Sequence, residues 1–194
     1  GVTVLQAEAE MDAGPVWASA TFPLRTALKS SIYRNEVTEA AVPAVLAAVD
    51  RYFSGNFTPQ RVAGKAHALM KQADRAIDWT EQTTAEILAR LNAADGFPGV
   101  ADLLFGEPCH LFDAWPEANL RGEAGSLLGR RETAICRATK DGALWIGHVK
   151  TVGGIKLPAT LALPAALELP ELPLAGYWKS PTPTWQDISY EEAA

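Results

Sequence analysis

The sequence has few cysteines. Cys109 and Cys136 are the only two in 194 residues, and they do not form a C-x-x-C pair. A disulfide framework or a cysteine zinc site needs more thiols at closer spacing. The three histidines, His67, His110 and His148, share no ligand spacing either, so no metal site is expected. Free cysteines in this number fit a reducing compartment, and the expected location is the cytoplasm.

Positive charge is also scarce. Lys and Arg number 17 against 23 Asp and Glu, a formal charge of −6. Neutralising phosphates dominates nucleic-acid affinity, so this balance disfavours a nucleic-acid partner. The sequence has no signal peptide, no glycine-rich phosphate loop and no apolar run of about 18 residues, and no membrane association is expected.

The hydrophobic pattern predicts an α/β segment followed by a small β-rich domain. Residues 2–9 and 16–22 read as strands around a turn, and residues 31–54 read as helical with a break or kink at Pro43. A second helix is predicted over 84–94, with Thr83 and Glu86 at capping-box spacing. Residues 133–139 and 143–150 flank an Asp-Gly turn, which predicts a hairpin in a small barrel or sandwich.

Composition sets the predicted domain boundaries. Residues 1–57 are expected to be the end of a catalytic domain, 58–97 a linker and helix, and 98–157 the β-domain. Residues 158–194 carry six prolines up to position 183 and are predicted to form an extended connection. The chain begins at Gly1 and is expected to be an internal piece of a larger enzyme.

Two features carry candidate chemistry. Asp12 lies in the turn between the first two strands, where a scaffold can present a carboxylate to a cleft. The alternative is that Asp12 caps local backbone donors, the commoner role of aspartate in turns. Residues 121–150 hold six Lys or Arg against three Asp or Glu, a net +3 that suits phosphate, although a solvated strand face explains them as well.

Three motifs then resemble the 10-formyltetrahydrofolate-dependent formyltransferases. The run from Gly1 to Gly14 is similar to that family's G-V-T-I-M-Q-x-x-x-G-L-D-T-G. Ile77-Asp78-Trp79 looks like its I-D-W, and residues 92–99 look like its R-A-F-N-P-W-P-G. The resemblance implies the end of a Rossmann-like formyltransferase domain followed by an OB-like β-barrel. Residues 5–18, 69–79, 91–100 and 141–159 most resemble hydrogenase-maturation members, which join a formyltransferase-like half to an enoyl-CoA hydratase-like half.

The resemblance implies particular site residues and partners. Asp12 would be catalytic, and the adjacent folate-binding positions would be Glu8, Ala9, Glu10 and Met11. The formyl donor would be 10-formyltetrahydrofolate and the acceptor coenzyme A, on the way to the carbon monoxide ligand of [NiFe]-hydrogenase. Further partners would be the enoyl-CoA hydratase-like half and hydrogenase assembly factors. On charge alone, Arg130, Arg131 and Lys150 are candidates for the coenzyme A phosphates.

The chain also departs from the family pattern. Position 13 is Ala where the family has Thr, Glu10 replaces a Gly, and the family's Asn and His partners would precede Gly1. A lone carboxylate cannot supply oxyanion stabilisation and proton transfer, so the chain by itself is expected to be inactive. Two alternatives stay open. One is a methionyl-tRNA formyltransferase-like region, which the net charge of −1 over residues 61–150 disfavours. The other is a non-enzymatic docking module.

Overall fold

The computed structural model describes residues 1–61 and 67–172. The chain divides into two compact units, Gly1–Lys71 and Gln72–Ala194. The predicted helix at 84–94 lies inside the second unit, whereas the sequence placed it in a linker segment of 58–97. No helix among the described residues is both long and apolar enough to cross a membrane.

The first unit is a two-stranded sheet with a long helix. Strands β1 (Val2–Leu5) and β2 (Val16–Ala20) pair antiparallel, with a register irregularity between Val4 and Leu5. Helix α1 (Lys29–Ile32) continues through a π-helical turn (Tyr33–Val37) into helix α2 (Thr38–Ser54). The two strands around a turn, predicted from the sequence, are therefore present.

Helix α2 runs through Pro43 and is not divided there. The irregularity in this segment lies earlier, at the π-helical turn. The helix ends at Gly55, which adopts a left-handed φ of 65° as expected of a glycine stop. Its two buried residues are Ala44 and Ala48. The larger apolar side chains of the predicted stripe are exposed in the described structure; they are Val42, Val45, Leu46, Val49, Tyr52 and Phe53.

The second unit is built on an antiparallel sheet. Its strands are β3 (Val100–Leu104), β4 (Glu107–Glu117), β5 (Leu127–Arg131), β6 (Ala134–Ala138), β7 (Ala143–Thr151) and β8 (Leu157–Pro158). Their order is β3-β4-β7-β6-β5, and β8 pairs with β7. The β6–β7 hairpin confirms the strand–turn–strand prediction at residues 133–150. Within the described residues the sheet is not closed, and this antiparallel sheet domain is consistent with the small OB-like fold that the resemblance implies.

Helix α3 (Thr84–Ala94) covers one face of this sheet. Its capping box is formed as the sequence predicted: the Glu86 backbone N–H donates to the Thr83 hydroxyl, and the Thr83 N–H donates to the Glu86 carboxylate. Ile87 and Leu91 are buried in the main core cluster. The Asp141 carboxylate accepts from the Thr84 backbone N–H at 2.7 Å, which ties the start of α3 to the β6–β7 turn.

The first part of the proline-containing segment folds onto the sheet. Helix α4 (Ala159–Ala162) and a 3-10 helix (Pro164–Glu168) follow β8. Ala159, Leu163 and Ala166 are buried in the main core. The described part of this segment therefore differs from the extended connection predicted for 158–194, because small and apolar residues between the prolines supply a packing face. Residues 173–194 of that prediction lie outside the described residues.

One residue in β4 changes which side of the strand faces the core. Cys109 and Leu111 point into the main core cluster. The next inward residue is Ala114, three positions after Leu111, and not Asp113, where strict alternation would place it. Asp113 adopts a left-handed φ of 53°, which breaks the strict alternation of side chains. Opposite it lies Gly147, where an added Cβ would sit 2.6 Å from the Asp113 Oδ2 atom.

Candidate functional site

The loop between β1 and β2 presents Asp12. The loop is closed by a backbone hydrogen bond from the Gln6 N–H to the Pro15 carbonyl (2.9 Å), and the Trp17 indole donates to the Gln6 side chain (3.1 Å). Gly14 is required in the loop, because a Cβ there would lie 1.9 Å from the Gln6 carbonyl oxygen. The backbone of the Asp12 loop is therefore held at its base.

The Asp12 side chain itself is exposed, and its backbone φ is 61°. Within residues 1–61 and 67–172, no hydrogen bond or ion pair of its carboxylate is found. The alternative prediction, that Asp12 caps local backbone donors, therefore finds no support among these residues.

The four predicted folate positions have different surroundings. The Glu8 carboxylate forms an ion pair with Arg61, whose Nη2 lies 3.0 Å from Oε1. Ala9 and Glu10 are exposed, and Met11 is 88% exposed. The structure thus leaves Met11 as a free apolar side chain beside Asp12, while Glu8 already has a cationic partner.

The I-D-W motif has a structural role in the second unit. The Trp79 indole donates to Asp102 Oδ2 at 2.7 Å, and Arg137 Nη1 donates to the same oxygen at 2.9 Å. The Arg137 guanidinium also stacks 4.3 Å above the Trp79 ring. The Thr80 hydroxyl donates to the Asp78 carboxylate, and this bond, together with those from the backbone N–H groups of Thr80 and Glu81, holds the pKa of the carboxyl below its ordinary value.

The structure does not gather the three candidate phosphate ligands. Arg130 forms an ion pair with Glu171 at 3.0 Å, and Arg131 stacks 4.5 Å over the Trp145 ring. Strand register separates them from Lys150. Arg130 is opposite Ile135 on β6, and Ile135 is opposite Ile146 on β7. Lys150 lies four residues beyond Ile146, which is roughly 13 Å further along β7. Among the described residues, the Lys150 ammonium makes no hydrogen bond or ion pair.

Lys150 lines a cleft of about 460 Å³ that the sequence did not predict. Lys150 is paired across the strands with His110, and Lys156 lies with its Nζ 4.9 Å above the Phe112 ring. Phe112 forms the buried floor, and Gly99 allows this, because a Cβ at position 99 would lie 2.4 Å from the ring. The exposed side chains of Phe97 and Ile155 form the apolar part of the wall.

A histidine–carboxylate pair lies on the same strand face. The Nδ1 atom of His148 is 2.9 Å from Asp113 Oδ2, and both side chains are a little over a third exposed. The Asp113 backbone N–H donates to the buried Asp95 at 2.9 Å. The contact between His148 and the Asp113 carboxylate orients the His148 ring, while the bond to Asp95 holds the Asp113 backbone. The only sequence signal for it was an aspartate and a histidine 35 residues apart, which has no local pattern.

Neither cysteine is a reactive thiol. Both are buried, and burial raises the pKa of Cys109 to about 11 and that of Cys136 to about 12. The thiolate is the nucleophilic form, so both behave as small apolar core residues, as the sequence indicated. The described residues contain no group of three or more His, Cys, Asp or Glu placed to bind a metal ion.

Comparison with known proteins identifies the family. A family model described as the formyl transferase C-terminal domain matches residues 69–163. The chain is 48% identical over 166 residues to hydrogenase maturation factor HoxX of Bradyrhizobium diazoefficiens, covering 82% of this chain and 29% of that protein. It is 30% identical over 159 residues to methionyl-tRNA formyltransferase of Dechloromonas aromatica, covering 81% of this chain and 51% of the relative.

Solved structures give the same result. The crystal structure of HypX from Aquifex aeolicus in complex with tetrahydrofolic acid superposes with a TM-score of 0.80 at 40% identity, covering 92% of this chain and 32% of that one. A substituted variant of the same protein gives a TM-score of 0.83 at 39% identity, covering 92% and 33%. The chain thus spans about half or less of these relatives. It belongs to the formyltransferase family, where it is related to the HypX and HoxX hydrogenase maturation factors.

Proposed function

We propose that this chain is part of an enzyme that transfers a formyl group from 10-formyltetrahydrofolate to coenzyme A, as a step towards the carbon monoxide ligand of [NiFe]-hydrogenase. The observation that carries the proposal is the exposed Asp12 carboxylate, at the position where the resembled family has its catalytic aspartate. The relationship to HoxX and to a HypX crystallised with tetrahydrofolic acid supports the donor. The acceptor and the later step rest on the resemblance alone.

The proposed chemistry balances without a redox partner. The coenzyme A sulfur attacks the formyl carbon, the carbon–N10 bond breaks, and N10 takes the thiol proton to give tetrahydrofolate and formyl-coenzyme A. Decarbonylation then breaks the carbon–sulfur bond, returns the formyl hydrogen to sulfur and releases carbon monoxide. The first step needs stabilisation of an oxyanion and a proton relay to N10.

Asp12 would serve that relay by orienting a histidine supplied from outside this chain. A carboxylate that accepts from one imidazole nitrogen fixes the tautomer of the ring and stabilises its protonated form. The closed base of the loop, with Gly14 against Gln6, would keep the carboxylate in place. Glu8 to Met11 would line the folate side, with Met11 contributing apolar surface.

The test is Asp12→Asn in the longer polypeptide that contains this chain. We expect formyl transfer to fall by about 10²- to 10⁴-fold while tetrahydrofolate binding changes little, because Asn keeps the size but loses the charge. Asp50→Asn, on the exposed face of α2, is the matched control and should leave turnover unchanged. Near-normal turnover in Asp12→Asn would remove Asp12 from the mechanism. The 194-residue chain alone should show no transfer.

A second candidate is formylation of methionyl-tRNA, which the 30% identity to the Dechloromonas enzyme keeps open. The lower identity and the net charge of −1 over residues 61–150 favour the first proposal. A gel-shift titration with initiator tRNA separates the two. Tight, salt-sensitive binding would favour the tRNA substrate, and no shift at micromolar protein would favour coenzyme A.

A further inference from the structure

The cleft on the β-domain differs from the rest of that domain in how its cations are placed. Arg137 and Lys140 pair with carboxylates, Asp102 and Glu81 respectively. The cleft, in contrast, brings Lys150, Lys156 and His110 together, and among the described residues no Asp or Glu lines it. Two ammonium groups that share a concave surface without a counter-charge raise the local positive potential, which attracts an anion.

The cleft also offers apolar surface next to those charges. Phe97 is 79% exposed and Ile155 is 72% exposed, and both line it. The Lys156 ammonium lies 4.9 Å above the Phe112 ring, a cation–π contact that attracts the charge to the floor of the cleft. A volume of about 460 Å³ lies within the range of small-ligand sites. The combination suits a small molecule that carries an anionic group beside a flat or apolar part.

We infer that this cleft binds the anionic part of a small organic ligand through Lys150 and Lys156, with Phe97 and Ile155 against its apolar part. Multiply charged phosphate or carboxylate groups have the required chemistry. The inference rests on the proposed function for the choice of ligand: the phosphates of coenzyme A's nucleotide, or the carboxylates of the folate glutamate tail. Of the three residues first suggested for phosphate, Lys150 alone belongs to this site.

The two sources are separated by binding probes on the full 194-residue chain. Adenosine 3′,5′-bisphosphate represents the nucleotide end of coenzyme A, and tri-γ-glutamate represents the folate tail. Pantetheine, which has no phosphate, is the uncharged comparison. We expect one of the two anions to bind and to shift the backbone amide signals of Gly154, Ile155 and Lys156 in an NMR titration. Binding should weaken with added salt, and pantetheine should cause no shift.

The variant Lys150→Glu/Lys156→Glu should weaken that binding at least about tenfold, since each charge-assisted contact contributes about a factor of ten. Arg121→Glu/Lys140→Glu carries the same change in charge at two exposed residues of the β-domain that do not line the cleft, and it should bind as the unchanged chain does. Circular dichroism checks that each variant is folded. If a variant is not folded, the NMR titration of the unchanged chain still tests the site.

The inference is overturned if neither anion shifts the cleft amides at millimolar concentration, or if both variants weaken binding equally. Failure of the proposed function gives a different pattern. The longer polypeptide would then lack formyl transfer while the cleft amides still responded to an anion. If formyl transfer is intact but neither anion shifts the cleft amides, the inference about the cleft is wrong while the proposed function stands.

Discussion

Replacing Asp102 by Ala should destabilise the β-domain strongly. Asp102 Oδ2 accepts hydrogen bonds from the Trp79 indole and from Arg137, and the Asp102 and Arg137 side chains are only 13% and 15% exposed. Removing the carboxylate leaves a guanidinium and an indole N–H without their partner in a largely buried site. Loss of one partner of a buried pair costs about 3–5 kcal/mol. Since both side chains keep some access to water, the expected loss is about 3 kcal/mol.

Urea denaturation followed by far-UV circular dichroism and tryptophan fluorescence measures this loss. For a unit of about 100 residues, 3 kcal/mol corresponds to a fall in Tm of roughly 12–24 °C. A double-mutant cycle with Arg137→Ala should give a coupling energy of about 1.5–3 kcal/mol. The exposed pair Lys140–Glu81 is the control, with an expected coupling below about 1 kcal/mol. Equal coupling in the two pairs would refute the reasoning.

Two further predictions concern the Asp12 loop and the buried thiols. Gly14→Ala should lower the thermal stability of the first unit by about 2 kcal/mol or more, because the new Cβ would meet the backbone oxygen of Gln6. Gly122→Ala meets only a movable side-chain carbon and should cost less, and the reverse order would contradict this account. Cys109 and Cys136 should react with a thiol reagent at pH 8 only after unfolding, since burial raises their pKa from an ordinary value of 9.0 to about 11 and about 12. The folded state holds these thiol protons more tightly, so stability should fall as pH rises from about 9 towards those values. Rapid labelling of the native chain at pH 8 would show the first expectation wrong, and a free energy of unfolding that stays constant above pH 9 would show the second wrong.

Local signals predicted the elements that depend on neighbouring residues. The capping box of α3 needs only Thr83 and Glu86, three residues apart, and the structure forms it. The β6–β7 hairpin was predicted from an Asp-Gly pair between two alternating runs, and it too is present. Asp12 was correctly placed in a turn between two strands, because turn composition and strand alternation are both short-range patterns.

The rest depends on residues far apart in sequence. Prolines at 158, 164 and 170 suggested an extended connection, but Ala159, Leu163 and Ala166 pack on the sheet. A propensity argument omits that tertiary contact. Likewise, the cleft needs Phe97, His110 and Lys156 to converge from three segments, and no spacing rule connects them. The charge cluster at 121–150 gave a correct count of cations but could not separate paired from unpaired ones.

The left-handed backbone at Asp113 divides one sheet surface into two regions of different use. Before this residue, the side of β4 opposite the main core carries His110 and Phe112, and it is open to the cleft. Beyond it, the odd-numbered positions take that side, and Trp115 packs there with Trp145 in the second hydrophobic cluster. The left-handed backbone at Asp113 thus lets β4 face the cleft on one side at its first end and pack against core clusters on both sides at its other end. Substitution of Asp113 by a β-branched residue would disturb both ends together, because such residues rarely adopt a left-handed backbone.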